Sequence, residues 1–224
     1  MRIGAARRSR RHQRRPAGPR LGGRRMVVLG LTGSIGMGKS TASRMMRRLH
    51  VPVHDADATV HALTGPGGAA VPAIAAAFPD AVRDGRVDRA VLARQVFGDD
   101  AALRRLEGIL HPRVRTAEHA FLRRQALAGR RLVVLDVPLL FETGGERRCD
   151  AVLLVTAPAF LQAQRVLGRP GMTPERLQQV RAKQMAEPEK RRRADVVVNT
   201  GRGMAPAYRQ VRALVRRLRA EGEA

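Results

Sequence analysis

A short apolar run, Val27 to Thr32, leads straight into Gly33-Ser34-Ile35-Gly36-Met37-Gly38-Lys39-Ser40-Thr41, and the residues beyond it repeat at helical spacing. Strand, G-x-x-x-x-G-K-S and helix in that order make a phosphate-binding loop. Such a loop constrains the whole fold, because it sits at the carboxyl end of a strand in a parallel sheet. Gly33, Gly36 and Gly38 let the backbone wind tightly, with N–H groups turned toward phosphate oxygens. The helix that follows adds its positive N-terminal end. Lys39 is then placed to reach the β- and γ-phosphates, and the Ser40 hydroxyl to ligate Mg²⁺.

The rest of the chain supplies a frame for that loop. Ala42, Met45, Met46 and Leu49 form the apolar face of the first helix. Val51-Pro52-Val53 is a second extended run, ending in His54-Asp55-Ala56-Asp57, where one acid can face the nucleotide while the other caps the next helix. Residues 58–128 read as an inserted helical lobe. Within it Asp84-Gly85 marks a turn, Asp88 and Asp99 or Asp100 are helix caps, and His111-Pro112 is expected to interrupt the chain before a third helix from about Arg113 to Ala128. Arg131 to Asp136 is a buried-type strand ending in a carboxylate, the position from which an acid holds Mg²⁺ in phosphate-loop enzymes. Asp150 to Val155 is another strand, and Asp195 to Gly201 the last strand with its turn. Arg165 and Arg169 lie one helical turn apart, with the second expected on a mobile segment near Gly168 and Pro170-Gly171. Thr173-Pro174-Glu175 opens another helix. Glu187 to Arg193 reads as a solvated helix face, and Tyr208, Val211, Leu214, Val215 and Leu218 as a closing amphipathic helix. Five strand runs separated by helices predict a three-layer α/β fold with a five-stranded, mostly parallel sheet, an inserted acceptor lobe and a lid over about 165–193.

Composition narrows the function classes. The net charge is +24, but residues 1–25 hold ten arginines and no acid, and without them it falls to +14. That segment reads as a disordered basic extension, or as a start placed too early with Met26 the true one; residues 26–224 are the kinase-like domain. A nucleic-acid-binding protein would fit the charge, yet aromatics make up only 3% and no Trp is present to stack on bases. The 40 arginines and three lysines point instead to a GC-rich genome. No run of 18 apolar residues is present, so no membrane span is expected. The single cysteine, Cys149, suits a reducing, cytoplasmic setting, and reads as a small buried residue.

The motifs in this order resemble the dephospho-coenzyme A kinase family from about Val27 to Leu218. Carrying the resemblance are Gly30 to Thr41, Asp55-Ala56-Asp57, Val87-Asp88-Arg89, Leu106 to Pro112, Leu135-Asp136-Val137-Pro138-Leu139-Leu140-Phe141-Glu142, Arg165 to Met172 and Asn199-Thr200-Gly201. The resemblance implies transfer of the γ-phosphoryl of ATP to the ribose 3′-hydroxyl of dephospho-coenzyme A, with Mg²⁺ as cofactor. It implies that Asp57 accepts or orients the hydroxyl proton, with Lys39 and Arg165 as catalytic partners. Gly33, Gly36, Met37, Gly38, Lys39, Ser40, Thr41, Arg169 and Asn199 would bind ATP. Asp55, His111, Leu139, Phe141 and Glu142 would lie on the acceptor side, and Ser40 and Asp136 would hold the metal. No nucleic-acid partner is expected, and the enzyme is expected to work as a monomer or weak homo-oligomer. Ser34 stands where a glycine is frequent, which is tolerable if its φ is negative. Another small-molecule kinase, acting on a nucleoside monophosphate or a shikimate-like alcohol, would share the loop and lid but not the Asp136 to Glu142 block.

Overall fold

The structure is a computed structural model that describes residues 20, 21 and 24–221. Most of the basic 1–25 extension lies outside the described residues. Within them, β1 (Arg20–Leu21) and β2 (Arg24–Arg25) pair antiparallel. The main chain of elements then runs β3 (Val27–Thr32), α1 (Lys39–Arg48), β4 (Val53–Asp55), α2 (Ala56–Thr64) and α3 (Val71–Ala77). The hairpin β5 (Val82–Arg83) and β6 (Arg86–Val87) follows, and then α4 (Arg89–Val96) and α5 (Asp100–Leu127). The second half holds β7 (Leu132–Asp136), β8 (Ala151–Thr156), α6 (Ala159–Leu167), α7 (Pro174–Ala182), α8 (Glu187–Arg193), β9 (Val196–Asn199) and α9 (Met204–Glu221). No helix among the described residues is long and apolar enough to cross a membrane.

The chain divides into two compact units. The larger comprises the chain up to His54 and from Gln125 onward, and it contains the sheet, ordered β4-β7-β3-β8-β9. β3 runs parallel to β7 and β8, and β8 parallel to β9. The register sets Leu29 beside Val134 on one side and Ala151 on the other. On one face, Leu29, Leu31, Val134, Leu153 and Val155 pack with Met45 and Met46 of α1 and with Val211, Leu214 and Val215 of α9. On the other face Val28, Val133, Leu135, Val152 and Leu154 are also buried. Strands buried on both faces explain why each reads as an unbroken aliphatic run. Each fully buried leucine or valine contributes roughly 1.5–3 kcal/mol, so the core does not need aromatics. From β3 the chain first builds β4 and β7 to one side, then crosses to β8 and β9 on the other. The carboxyl end of β3 is therefore the topological switch point where α/β sheets bind ligands.

The smaller unit, Asp55–Arg124, has its own core of Ala70, Val71, Ile74, Phe78, Leu92 and Leu106 among others. Asp84 (φ 49) and Gly85 (φ 69) form the two-residue turn of the β5–β6 hairpin, where positive φ at both positions matches strand twist. Asp88 caps α4 through the N–H groups of Ala90 and Val91, and Asp99 caps α5 through Ala101 and Ala102. One expectation fails. His111-Pro112 does not break the chain: α5 is a single helix of 28 residues with Pro112 inside it. The buried stripe Ala102, Leu106, Glu118, Phe121 and Ala126, joined by half-buried Ile109, Leu110, Val114 and Ala117, keeps one phase through the proline. Packing of that stripe outweighs the local preference. Side chains also bond the carbonyls of the turns around the proline: Arg113 Nη1 donates to Ile109 O at 2.7 Å, and Thr116 Oγ1 to Pro112 O at 3.0 Å.

Candidate phosphate-binding active site

The loop between β3 and α1 is wound through two left-handed glycines, Gly36 (φ +75) and Gly38 (φ +92). Space forbids side chains there as well. A Cβ on Gly38 would stand 2.9 Å from Thr200 Oγ1, and one on Gly36 would stand 3.0 Å from Gln162 O. Ser34 is absent from the positive-φ residues, so it is accommodated without strain. Met37 shapes the loop from within: its side chain is buried, its sulfur accepts from Ala157 N, and its N–H donates to Ser34 O. Among the described residues no group accepts from the N–H of Gly36, Gly38 or Ser40, leaving those donors open to an anion at the start of α1.

Lys39 and Asp136 meet across the switch point. Asp136 ends β7 beside Leu31 of β3, and Lys39 Nζ lies 2.8 Å from its Oδ1. The Asp136 side chain is 3% exposed and that of Lys39 17%. Ser40 is exposed one residue into α1, and Thr41 is half-buried beside it. A hydroxyl, a carboxylate, a lysine and open amides thus converge at one strand end.

A second layer braces the outer arc of the loop, and sequence reasoning missed it. Gln162 Nε2 donates to Ile35 O at 2.8 Å, while Ile35 N donates to Gln184 Oε1 at 3.2 Å. Thr200 Oγ1 donates to Met37 O at 2.7 Å. Lys190, expected on a solvated face, is completely buried: its ammonium lies 3.2 Å from Ser34 Oγ and 2.9 Å from Glu142 Oε1. Glu142 also accepts from Met185 N at 2.8 Å. Burial pushes the Glu142 carboxyl up, but the hydrogen bonds from Lys190 and Met185 outweigh it and hold the group below its ordinary value. The composition held one signal for Lys190. In a chain with 40 arginines and three lysines, two lysines stand against the phosphate loop.

The other expected site residues are distributed as follows. Arg165 lies on α6 itself and donates to Gly36 O at 3.3 Å and to Thr200 O at 3.2 Å, so it touches the loop. Arg169 does not share its helical face, because α6 ends at Leu167 and Arg169 sits exposed in the turn beyond. Asn199 ends β9, its Oδ1 accepting from Gly201 N at 2.8 Å. Leu139 is 40% exposed, whereas Phe141 is buried with the Arg193 guanidinium 5.1 Å over its ring. Phe141 therefore lies behind the surface, and Glu142 is engaged by Lys190 and Met185. Asp55, Asp57 and His111 belong to the smaller unit. Asp55 caps α2, accepting from Ala58 N at 3.0 Å; the strand stops there, so Asp57 is exposed in the first helical turn instead of extending the strand. His111 is exposed on α5.

This assembly has known counterparts. The family model described as dephospho-CoA kinase matches residues 27–205. A dephospho-CoA kinase of Paramagnetospirillum magneticum is 69% identical over 166 residues, which are 74% of this chain and 78% of that protein. One of Rhodospirillum rubrum is 61% identical over 189 residues, 84% of this chain and 89% of that protein. Among solved structures, a Thermus thermophilus protein superposes with a TM-score of 0.76 at 37% identity, covering 85% of this chain and 96% of its own. The dephospho-CoA kinase of Campylobacter jejuni shares the fold, with a TM-score of 0.61 at 19% identity over 85% of this chain and 96% of its own. The strand-loop-helix at Val27 to Arg48, the carboxylate at Asp136 and a match over most of the chain agree: the chain belongs to the dephospho-CoA kinase family, a family of phosphate-loop kinases.

Proposed function

We propose that this kinase transfers the γ-phosphoryl group of ATP to the ribose 3′-hydroxyl of dephospho-coenzyme A, giving coenzyme A. The observation that carries the reading is the open cradle formed by the Gly36, Gly38 and Ser40 amides with Lys39 against Asp136, in a chain of this family. Phosphoryl transfer needs little covalent help from the protein; it needs positioned charge in a dry site. The loop amides and Lys39 stabilise negative charge on the β- and γ-phosphates. Arg165 adds a guanidinium at the loop's edge, and Arg169 can approach from the turn beyond α6. Asn199 to Gly201 forms a turn suited to the base. Asp57 takes the proton of the attacking hydroxyl, with Asp55 holding the start of its helix. His111, Leu139, Phe141 and Glu142 serve the acceptor side, the last two by supporting its wall. ATP chemistry calls for a divalent cation. The Ser40 hydroxyl and the Asp136 carboxylate are oxygen donors of the kind Mg²⁺ prefers, and two such ligands suffice when phosphates and water complete the shell. Bound there, Mg²⁺ would neutralise phosphate charge. The single buried cysteine is consistent with a cytoplasmic setting.

The test is a substrate panel with ATP and Mg²⁺. Phosphorylation of dephospho-coenzyme A, with AMP and shikimate left untouched, is the expected result. Turnover of AMP or shikimate in its place would overturn the reading. A folded Asp57→Asn variant should lose at least ~10²-fold in turnover, the scale of a missing proton acceptor; near-normal turnover would remove Asp57 from that role.

A further inference from the structure

Lys190 is the charged side chain of lowest exposure among the described residues. It is a cation with 0% exposure, placed in the middle of a helix whose other charged residues are half-buried or exposed. A buried ion pair is a poor stabiliser, because a well-packed apolar pair of similar volume serves as well or better. Its presence calls for another explanation, and the partners supply one. One acceptor of the ammonium is Glu142, at the end of the block that begins with Asp136; the other is the hydroxyl of Ser34, the second residue of the phosphate loop.

The neighbours of Lys190 act on the same arc. Two residues before Glu187, Met185 N holds Glu142; one residue earlier, Gln184 holds Ile35 N. Gln162 holds the carbonyl of Ile35, and Arg193, three residues past Lys190, pairs with Glu146 and covers Phe141. The segment from Gln184 to Arg193 is thereby bound to the loop and to the Glu142 wall together. Ser34 and Ile35 precede the two left-handed glycines. Where they are held determines where the amides of Gly36, Gly38 and Ser40 point.

We propose that Lys190 is a positioning residue for the phosphoryl donor: held by Glu142, it fixes Ser34 and so sets the loop geometry that ATP requires. The proposal rests on the loop being the ATP site. The role assigned to Lys190 is exerted through Ser34. Its charge is supplied with a counter-ion from the wall, and the loop hydroxyl receives the directional hydrogen bond. The site around the ammonium is closed, and the larger, planar guanidinium would displace its neighbours, so arginine is not an equivalent here.

The experiment measures ATP binding by calorimetry and steady-state kinetics with dephospho-coenzyme A for Lys190→Met, Ser34→Ala and the double variant. Lys190→Met should weaken ATP binding and raise the KM for ATP at least tenfold, by more than it raises the KM for dephospho-coenzyme A, whose wall Glu142 supports. Ser34→Ala should give at least a threefold loss in the same direction. In the double variant the two losses should combine to less than their product, because both remove one contact. Lys190→Arg should not restore ATP affinity. Independent, multiplying losses, equal effects on both substrates, or ATP affinity within twofold of the parent in a folded Lys190→Met protein would overturn the proposal. If Lys190→Met does not fold, Ser34→Ala decides alone, and ATP affinity within twofold of the parent is then the refuting result. Should the parent chain bind ATP yet fail on dephospho-coenzyme A, the substrate reading falls while the calorimetric comparison still decides the role of Lys190.

Discussion

Replacing Lys39 by methionine should damage the protein in two separable ways. The lysine is 2.8 Å from an Asp136 carboxylate that is only 3% exposed. Deleting one partner of a buried pair costs about 3–5 kcal/mol, because the remaining charge loses its counter-ion in a poorly solvated place. Lys39 itself keeps some exposure, which puts the expected loss at the lower end, about 3 kcal/mol. For a chain of this size that corresponds to a fall of roughly 6–12 °C in melting temperature. Adding Asp136→Asn removes the charge that Lys39 balanced and should return part of the loss. Activity should behave differently: Lys39→Met and the double variant should both lose at least ~10²-fold in turnover, since neither places a cation on the phosphates. Thermal melts and kinase assays on the same preparations separate the effects. A double variant no more stable than Lys39→Met would show that the destabilisation is not electrostatic, and recovery of activity with stability would refute a phosphate-binding role for the lysine.

Other outcomes follow from the same geometry. Gly38→Ala combines a left-handed φ with a Cβ 2.9 Å from Thr200 Oγ1, and should cost about 2–3 kcal/mol in urea unfolding along with most ATP affinity; an unchanged unfolding midpoint would contradict the strain. Glu142 has its carboxyl held below an ordinary value near 4.5, so it contributes stability that is present above that value and lost as the pH falls through the lower folded value. The stability difference between the parent and Glu142→Gln should therefore be constant from about pH 7 to 5 and shrink as the pH falls below the ordinary carboxylate value; a difference that does not change on acidification would argue against the pairing. Pro112→Ala should raise stability by about 1 kcal/mol, because it restores a hydrogen bond to an exposed turn of a helix that already forms; a lower melting temperature would mean that the proline fits its surroundings better than the helix alone implies.

Much of the fold could be read from the chain, for identifiable reasons. A sheet buried on both faces writes its strands as aliphatic runs, which located β3, β7, β8 and β9 within a residue or two. The extended run at Val51 enters the sheet a little later, as β4, because Pro52 has no N–H to pair, although its carbonyl accepts from Val134 N. Caps at Asp88, Asp99 and Thr173 are local chemistry and were legible for that reason. The break expected at Pro112 failed because a local rule met a continuous buried stripe. The loop was visible as a motif, but its braces were not. Lys190 sits in Glu187-Pro188-Glu189-Lys190-Arg191-Arg192-Arg193, where charge at nearly every position hides which one turns inward. Gln162, Gln184 and Thr200 are common polar residues, and only the folded sheet brings them to Ile35 and Met37.

That hidden bracing bears on how the protein is made. The nine residues of the loop motif are contiguous, yet the hydrogen bonds that shape them reach far along the chain: 127 positions from Gln162 to Ile35, 156 from Lys190 to Ser34 and 163 from Thr200 to Met37. A ribosome finishes the motif early and supplies its supports only near the end of synthesis. Contacts of such long range are slow to form. A nascent chain stopped before Gln184 would carry the whole signature and no finished nucleotide site, so the capacity to bind ATP should emerge among the last events of biosynthesis.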